Sequence, residues 1–276
     1  MSEEQRCIAL ACLLLCTLTV RAEVPDTVFL EDLTWTEVRD ALKAGKTTVL
    51  LPTGGTEQNG PHMVLGKHNY IVRYASDRIA RRLGNALVAP VMAYVPEGDV
   101  GKKEGHMAFP GTITLPDEHF RKVVEFAARS FKAHGFQDIV FLGDSGPNQP
   151  GMKAVAEILN KEWAKTPVRV HYIPEYYTIG YDLKGGFSTW LQGQGESLDD
   201  IGGHAGITDT SQLMAIDRKL VRADKLAPGG DFNATGVWGN PKRATVAYGR
   251  KGLDLKVDAA VAQIRASMAA RGQAPR

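Results

Sequence analysis

Residues 47–69 read TTVLLPTGGTEQNGPHMVLGKHN, and this stretch decides how the rest of the chain is arranged. Its first five residues are apolar or β-branched, a composition typical of a buried strand. Pro52 and the pair Gly54-Gly55 end that run, and a polar segment follows at once. In open α/β sheets, the loops beyond the carboxyl ends of the strands bind ligands, because the rigid sheet holds them while they carry the chemistry. We therefore expect a functional site directly after this strand.

The polar segment brings a carboxylate, an amide and two imidazoles together at Glu57, Asn59, His62 and His68. Carboxylate oxygens and imidazole nitrogens are ligands of divalent cations such as zinc, and the same groups serve in general acid–base catalysis. The segment therefore predicts a metal or acid–base site. A turn that carries surface histidines is the structural alternative.

Composition limits the class of protein. The chain has 276 residues, of which 43% are hydrophobic, enough for a sizeable core. Its 33 basic and 31 acidic residues are interspersed and give a net charge of +2. A nucleic-acid binder usually carries a clustered basic face, so we expect no nucleic-acid partner.

The amino terminus resembles an export signal. Residues 7–20, CIALACLLLCTLTV, form an unbroken apolar run that contains all three cysteines. The run is shorter than the about 20 residues that span a bilayer and suits a signal-peptide core. We predict a signal peptide over residues 1–22, with an uncleaved anchor as the alternative because acidic residues precede the run. The remaining chain, residues 23–276, would be one domain without a thiol, periplasmic or secreted, and away from the membrane after cleavage.

Strands and helices alternate along this domain. Buried strands are predicted at residues 47–51, 86–92, 138–142 and 168–173, and helices at residues 35–44, 69–83, 116–134, 151–164 and 244–270. We expect Asn69 to cap the second helix, and Gly249 and Gly252 to loosen the last one. Short alternating elements of this kind predict an α/β fold with a mainly parallel sheet and helices on both faces.

Further candidate site residues lie in three other segments. A long Gly- and Pro-punctuated loop carries His106, and loops of this length in compact domains are often functional. The third strand opens into GDSGPNQPG, which contains Asp144, Ser145 and Asn148. A later region rich in Gly, Tyr and Trp contains Tyr177, and its aromatic residues are candidates to line a small-molecule pocket.

A Gly-rich turn, GGHAG, presents His204, and Asp209 follows at the start of an apolar helix. A carboxylate in a first helical turn can be a cap as well as a catalytic group.

Four segments in this order and spacing, LPTGGTEQNGPH, GHMAFPGTITL, FLGDSGPNQ and GGHAGITDTS, resemble the creatininase family of metal-dependent amidohydrolases. The resemblance covers roughly residues 30–265. It implies a three-layer α/β/α sandwich, commonly oligomeric, with one or two metal ions at the strand tips. It also implies a metal-activated water that attacks the carbon of an amide or cyclic amide.

Position by position, Glu57 matches the first metal-binding glutamate of the family, His62 a histidine of the same loop and His204 the catalytic histidine. Asn59 stands where a metal-binding histidine is usual, and His68 where an aspartate bridges two ions. One imidazole nitrogen cannot bridge two cations as a carboxylate does. We therefore expect one metal ion per site rather than two.

Ser145 and Pro147 stand where the family has histidine and glutamate ligands, and Asp209 where a glutamate is common. The predicted ligands of the single divalent ion are Glu57, His68 and Asp144, with Asp209 as an alternative to Asp144. Zinc is the first choice of metal, and manganese or iron are alternatives. The predicted catalytic residues are His204, Asp209 and His62, and the predicted substrate-binding residues are Asn59, His106, Ser145, Asn148 and Tyr177.

The sequence thus predicts a metal-dependent hydrolase of C–N bonds that acts on a small amide and forms a homo-oligomer. Two alternatives stay open. One is a non-catalytic relative that binds a small amide-like ligand, because several ligand types are lost together. The other is a serine hydrolase with Ser145 as nucleophile, His204 as base and Asp209 as the group that orients it.

Overall fold

A computed structural model describes residues 25–181 and 186–273 of the chain. The predicted signal peptide, residues 1–22, lies outside the described residues and stays a prediction. Four parallel strands form one sheet in the order β2-β1-β3-β4. They are β1 (Thr48–Thr53), β2 (Ala86–Val88), β3 (Asp138–Gly143) and β4 (Arg169–Tyr172). The prediction of a parallel α/β sheet is confirmed.

Ten α-helices accompany the sheet in the described part of the chain. They are α1 (Trp35–Lys43), α2 (Lys67–Leu83), α3 (Asp117–Ala133), α4 (Asn148–Glu162), α5 (Glu175–Tyr181), α6 (Gly186–Gly193), α7 (Leu198–Ile201), α8 (Ile207–Ile216), α9 (Phe232–Thr235) and α10 (Val246–Gln273). Within residues 25–181 and 186–273, none of the helices combines the length and the apolar character needed to cross a membrane.

Alternate residues of the strands face opposite layers of helices, as the period of a strand requires. Val49 and Leu51 of β1 join a core cluster with residues of α3 and α4. Leu50, between them, joins a second cluster with residues of α2 and α10. The sheet is therefore buried on both faces, which explains its continuous apolar strands and confirms the three-layer arrangement.

The sheet register brings two loops together at its carboxyl edge. Thr53, the last residue of β1, pairs with Gly143, the last residue of β3. The polar loop after β1 and the Asp144 loop after β3 therefore leave the sheet side by side, where parallel α/β sheets place ligand sites.

Helix α2 begins two residues earlier than predicted. Its N-cap is Gly66, and Lys67 and His68 lie in its first turn. Asn69 is not the cap, because its Oδ1 accepts a hydrogen bond from the backbone N–H of Gly55 at 3.0 Å. This bond ties the start of α2 to the end of the β1 loop.

Helix α10 is continuous, so the expectation that two glycines loosen it is wrong. Both glycines instead permit close packing. A Cβ on Gly249 would lie 1.8 Å from the carbonyl oxygen of Ser211 in α8, and a Cβ on Gly252 would lie 2.5 Å from the ring of Phe187.

We expect Gly249→Ala to lower the free energy of unfolding by about 1–3 kcal/mol, because α8 and α10 would have to separate. Urea denaturation measures this change. Gly193→Ala is the matched control, since a Cβ there meets nothing within 4 Å. A Gly249→Ala variant as stable as the wild type would contradict this account of the contact between α8 and α10.

Candidate functional site

A cavity of about 360 Å³ opens at the carboxyl edge of the sheet, above β1 and β3. Its lining combines charged groups, three histidines and aromatic side chains. The lining residues are Glu57, Lys67, His68, His106, Ser145, Gly146, Pro147, Tyr177, Gly203, His204, Asp209, Phe232 and Trp238. The volume lies within the range of about 300–1,000 Å³ that is usual for small-molecule sites.

Glu57 is the central charged group of the cavity and is only 2% exposed. Its Oε1 lies 2.8 Å from Nε2 of His68 and 3.3 Å from Nζ of Lys67. Its Oε2 lies 3.3 Å from Nε2 of His106. Burial alone would raise the pKa of Glu57, but the positive charge of Lys67, with His68, lowers that pKa well below its usual value. Glu57 is therefore a buried carboxylate in its charged form.

His68 bridges two carboxylates. Its Nε2 contacts Glu57, and its Nδ1 lies 2.7 Å from Oδ2 of Asp144. Burial and Lys67 disfavour the imidazolium, yet the two carboxylates raise the pKa of His68 to about 9. The structure thus brings Glu57, His68 and Asp144 together, as predicted, but as an ion-paired chain.

Asp144 has further partners in the same buried layer. The hydroxyl of Tyr176 donates to its Oδ1 at 2.8 Å, and the ammonium of Lys256 in α10 contacts the same oxygen. Burial raises the pKa of Asp144, whereas Lys256 and His68 lower it to about 2. The long last helix therefore contributes a cation that keeps Asp144 ionised.

Lys67 and Asp209 form a second buried ion pair. Nζ of Lys67 lies 3.1 Å from Oδ2 of Asp209, and both side chains are 1% exposed. The backbone N–H of Ala205, a residue with a φ of 55°, donates to the same oxygen at 2.8 Å. Burial opposes the charge on Lys67, but Asp209 and Glu57 raise the pKa of its ammonium above the usual value. Lys67 is therefore charged.

Two further imidazoles face Glu57: Nε2 of His106 faces Oε2, and Nδ1 of His204 lies 3.8 Å from Oε1. The rings of His106 and His204 lie 4.6 Å apart, centroid to centroid. Gln58 orients both, because its Nε2 contacts Nδ1 of His106 at 3.1 Å and its backbone carbonyl contacts Nε2 of His204 at 3.0 Å. Burial lowers the pKa of His106, and it lowers that of His204 to about 3. Both rings are therefore neutral, the form that binds a metal ion.

One carboxylate oxygen of Glu57 and one nitrogen each of His106 and His204 lie within 4.8 Å of one another. A carboxylate and two imidazoles with open positions are the donor set of a catalytic zinc site. The contact of His204 with a backbone carbonyl is the kind of outer contact that orients metal-bound histidines. Nε2 of His106 can bind the ion only when the ring proton is on Nδ1, because a protonated nitrogen has no lone pair. These residues fit one divalent ion.

The predicted ligand set therefore needs correction at His68 and Asp144. Both ring nitrogens of His68 contact carboxylates, and Asp144 pairs with His68 and Lys256. His68 is held as an imidazolium whose two N–H groups both donate to carboxylates, so neither nitrogen has a lone pair for a metal ion. His106 and His204 take their places as candidate ligands beside Glu57, so the role proposed for His204 changes from proton carrier to ligand.

Three other predicted site residues are not part of the cavity lining and make buried hydrogen bonds instead. The amide of Asn59 donates to the carbonyl of Glu57 at 2.9 Å, and that of Asn148 donates to the carbonyl of Gly54 at 2.8 Å. His62 is fully buried, and its Nε2 contacts Oγ1 of Thr210 at 3.0 Å. The geometry supports structural roles for these three residues rather than the substrate-binding and catalytic roles predicted.

Ser145, Tyr177 and His106 do line the cavity, where a substrate would lie. Burial raises the pKa of Tyr177 to about 12, so its hydroxyl stays protonated and can donate a hydrogen bond. Phe232 packs edge-on against the rings of both His106 and His204, with centroids 5.8 Å apart. The substrate-binding roles of Ser145, Tyr177 and His106 remain predictions.

Sequence reasoning missed Lys67 and Lys256, and it left Gln58 and Glu97 without a role. A lysine at a helix start or on a long polar helix gives no signal of burial, because lysine is usually exposed. Glu97 is 3% exposed, and burial together with Glu57 raises its pKa to about 9. The position of Glu97 in the long loop was the only feature of the sequence that pointed to a role in the site.

The Creatininase family, described as creatinine amidohydrolase, matches residues 31–264. Creatinine amidohydrolase of Pseudomonas putida is 24% identical over 218 residues, covering 72% of this chain and 76% of that protein. The mycofactocin precursor peptide peptidase of Mycobacterium ulcerans is 26% identical over 242 residues, covering 79% and 84%. A solved mutant creatininase is similar with a TM-score of 0.75 and 24% identity, over 88% of this chain and 99% of that one. Similar creatininase structures include a manganese form and a zinc–zinc form.

The buried ring of His62 makes stability sensitive to acid. Burial lowers the pKa of His62 to about 4, whereas a histidine in an unfolded chain ionises near about 6.5. Between these values the unfolded chain binds a proton that the folded chain does not, so stability falls as the pH falls from 6.5 to 4. We expect the wild type to lose about 2 kcal/mol more than His62→Gln between pH 7.5 and pH 4, measured by urea denaturation.

His134→Gln is the control for this measurement, because His134 is exposed at the end of α3. Equal acid sensitivity of the wild type and His62→Gln would show that His62 is not held neutral by burial.

Proposed function

The chain belongs to the Creatininase family, and we propose that it is a metal-dependent hydrolase that cleaves a C–N bond in a small amide or cyclic amide. The observation that carries this proposal is the group formed by Glu57, His106 and His204 at the floor of the cavity. Its ligand types suit zinc first, with manganese or iron as alternatives. One such group supports one metal ion per site.

A divalent ion bound there would lower the pKa of its bound water from 15.7 towards about 7. It would also polarise the carbonyl group of the substrate. Asp209 lines the same cavity and is ionised, because Lys67 lowers its pKa despite burial. Its Oδ1 has no hydrogen-bond partner among the described residues. That oxygen can accept a proton from the attacking water and return it to the leaving nitrogen.

The cavity walls suit a small and partly apolar substrate. Phe232 and Trp238 provide apolar surface, and Ser145 and Tyr177 provide hydroxyl groups. Such walls exclude water from the reacting atoms and orient the amide. Two relatives are named for creatinine and for a precursor peptide, and both of these compounds contain amide-type C–N bonds. Their names therefore support an amide as the substrate class.

The serine-hydrolase alternative requires a histidine that faces Ser145. The nitrogens of His204 instead face Gln58 and Glu57, and those of His68 face Glu57 and Asp144. The geometry therefore favours the metal-dependent reaction.

Export to the periplasm or the medium is a further proposal, which rests on the apolar run at residues 7–20. Assembly into a homo-oligomer is another, which rests on the family resemblance.

We expect the purified chain, loaded with zinc, to bind about one equivalent and to hydrolyse at least one member of a panel of creatinine, N-acetylated amines and dipeptides. Zinc content is measured by plasma mass spectrometry and amine release by chromatography. Glu57→Gln should lower both zinc affinity and hydrolysis by at least about 100-fold, because it removes the charged ligand.

Glu118→Gln, which changes an exposed glutamate of α3, is the matched control. Ligand binding without turnover, or full activity without bound metal, would contradict the proposal. The first result would favour the non-catalytic relative, and labelling of Ser145 by a fluorophosphonate would favour the serine hydrolase.

A further inference from the structure

We propose that Lys67 is a catalytic residue whose ammonium binds the carbonyl oxygen of the amide and stabilises the negative charge that develops there. This inference rests on the hydrolase proposed above and names the group of this chain that holds the reacting oxygen. The inference starts from the position of Lys67, which is buried and yet lines the cavity. The four motifs that resemble the family do not explain a lysine at this position.

The position of Lys67 is unusual for a lysine. The side chain is 1% exposed, yet the residue lines the cavity. An ammonium has three N–H donors. Two of them face Oδ2 of Asp209 at 3.1 Å and Oε1 of Glu57 at 3.3 Å. The described residues offer no other acceptor within hydrogen-bond distance, so the third donor is available to a ligand.

Two carboxylates from different segments of the chain hold the ammonium. Glu57 comes from the loop after β1, and Asp209 from the first turn of α8. Taking an ammonium out of water is costly unless it is paired, and these two partners offset that cost. The charge is thereby held in a site of low dielectric constant, where it interacts with a developing oxyanion more strongly than it would in water.

Glu57 links Lys67 to the candidate metal ligands. Its Oε1 contacts Lys67, whereas its Oε2 faces His106. A substrate carbonyl above Glu57 would therefore reach both the ammonium and the metal-ligand group. Lys67 would thus supply a second positive centre beside a divalent ion held by Glu57, His106 and His204.

The oxygen of water bonds to the carbonyl carbon, the π electrons of the C=O bond move to its oxygen, and the released proton passes to Asp209. Lys67 donates a hydrogen bond to that oxygen without losing its proton. When the electrons return and the C–N bond breaks, the leaving nitrogen takes the proton from Asp209. A single oxyanion donor contributes about 10²–10³ in rate.

The test uses methylphosphonate, a tetrahedral oxyanion, and the full chain freed of metal by chelation. Isothermal calorimetry at pH 7 measures its dissociation constant. We expect the wild type to bind it and Lys67→Met to bind it at least 10-fold more weakly. Because no metal and no turnover are involved, this result is independent of whether the proposed hydrolase activity is found.

Lys67→Met leaves two buried carboxylates without their cation, so the double variant Lys67→Met/Asp209→Asn restores the charge balance. It should also bind methylphosphonate at least 10-fold more weakly than the wild type. Asp209→Asn alone keeps the ammonium and removes one competing anion, so it should bind more tightly than the wild type.

Lys153→Met, at an exposed position of α4, is the control and should bind as the wild type does. The proposal is overturned if the wild type does not bind methylphosphonate, or if the folded double variant binds it with wild-type affinity. Weaker binding by Asp209→Asn would also overturn it, because a purely structural Lys67–Asp209 pair predicts that result.

Discussion

The buried negative charge of Glu57 is the constraint on which the site depends. A carboxylate that is 2% exposed stays ionised only if cations or hydrogen-bond donors surround it. Lys67 and His68 provide this on one oxygen, and His106 faces the other. Each partner is in turn held by a further group, so the floor of the cavity is one connected network. Such networks are rigid when they are satisfied.

The fold explains how these partners meet. Residues from the β1 loop, the first turn of α2, the β3 loop and the start of α8 converge because β1 and β3 are parallel neighbours that end in register. Helix α10 closes the layer beneath them and brings Lys256 to Asp144. The close approach of α8 and α10 at Gly249 therefore supports the site as well as the core.

Sequence patterns predicted the fold better than they predicted the site. The apolar runs that predicted β1 and β3, and the segments 69–83 and 116–134 that predicted α2 and α3, are local signals, and the structure contains these elements. Asn69 was misassigned because an asparagine suits both a cap and a contact to Gly55, and only the tertiary contact decides between them.

Seven of the predicted site residues line the cavity, and their roles stay predictions. Glu57, His106 and His204 were found as candidates, yet their grouping depends on which ring nitrogens face which oxygens, and sequence does not record that. His68 looked like a metal ligand until both of its nitrogens were seen to contact carboxylates. The burial of Lys67 could not be predicted from the sequence, because it depends on two carboxylates that come from distant segments.

The central claim is that Glu57 pairs with the ammonium of Lys67 and, together with His106 and His204, would also hold a single divalent ion. Crystals grown with zinc, with diffraction recorded on both sides of the zinc absorption edge, test it most directly. The account predicts one anomalous peak about 2.0–2.2 Å from Glu57, His106 and His204, with Lys67 still paired to Asp209. A peak between Glu57 and Asp209 with Lys67 displaced, or no peak beside the two histidines, would contradict it.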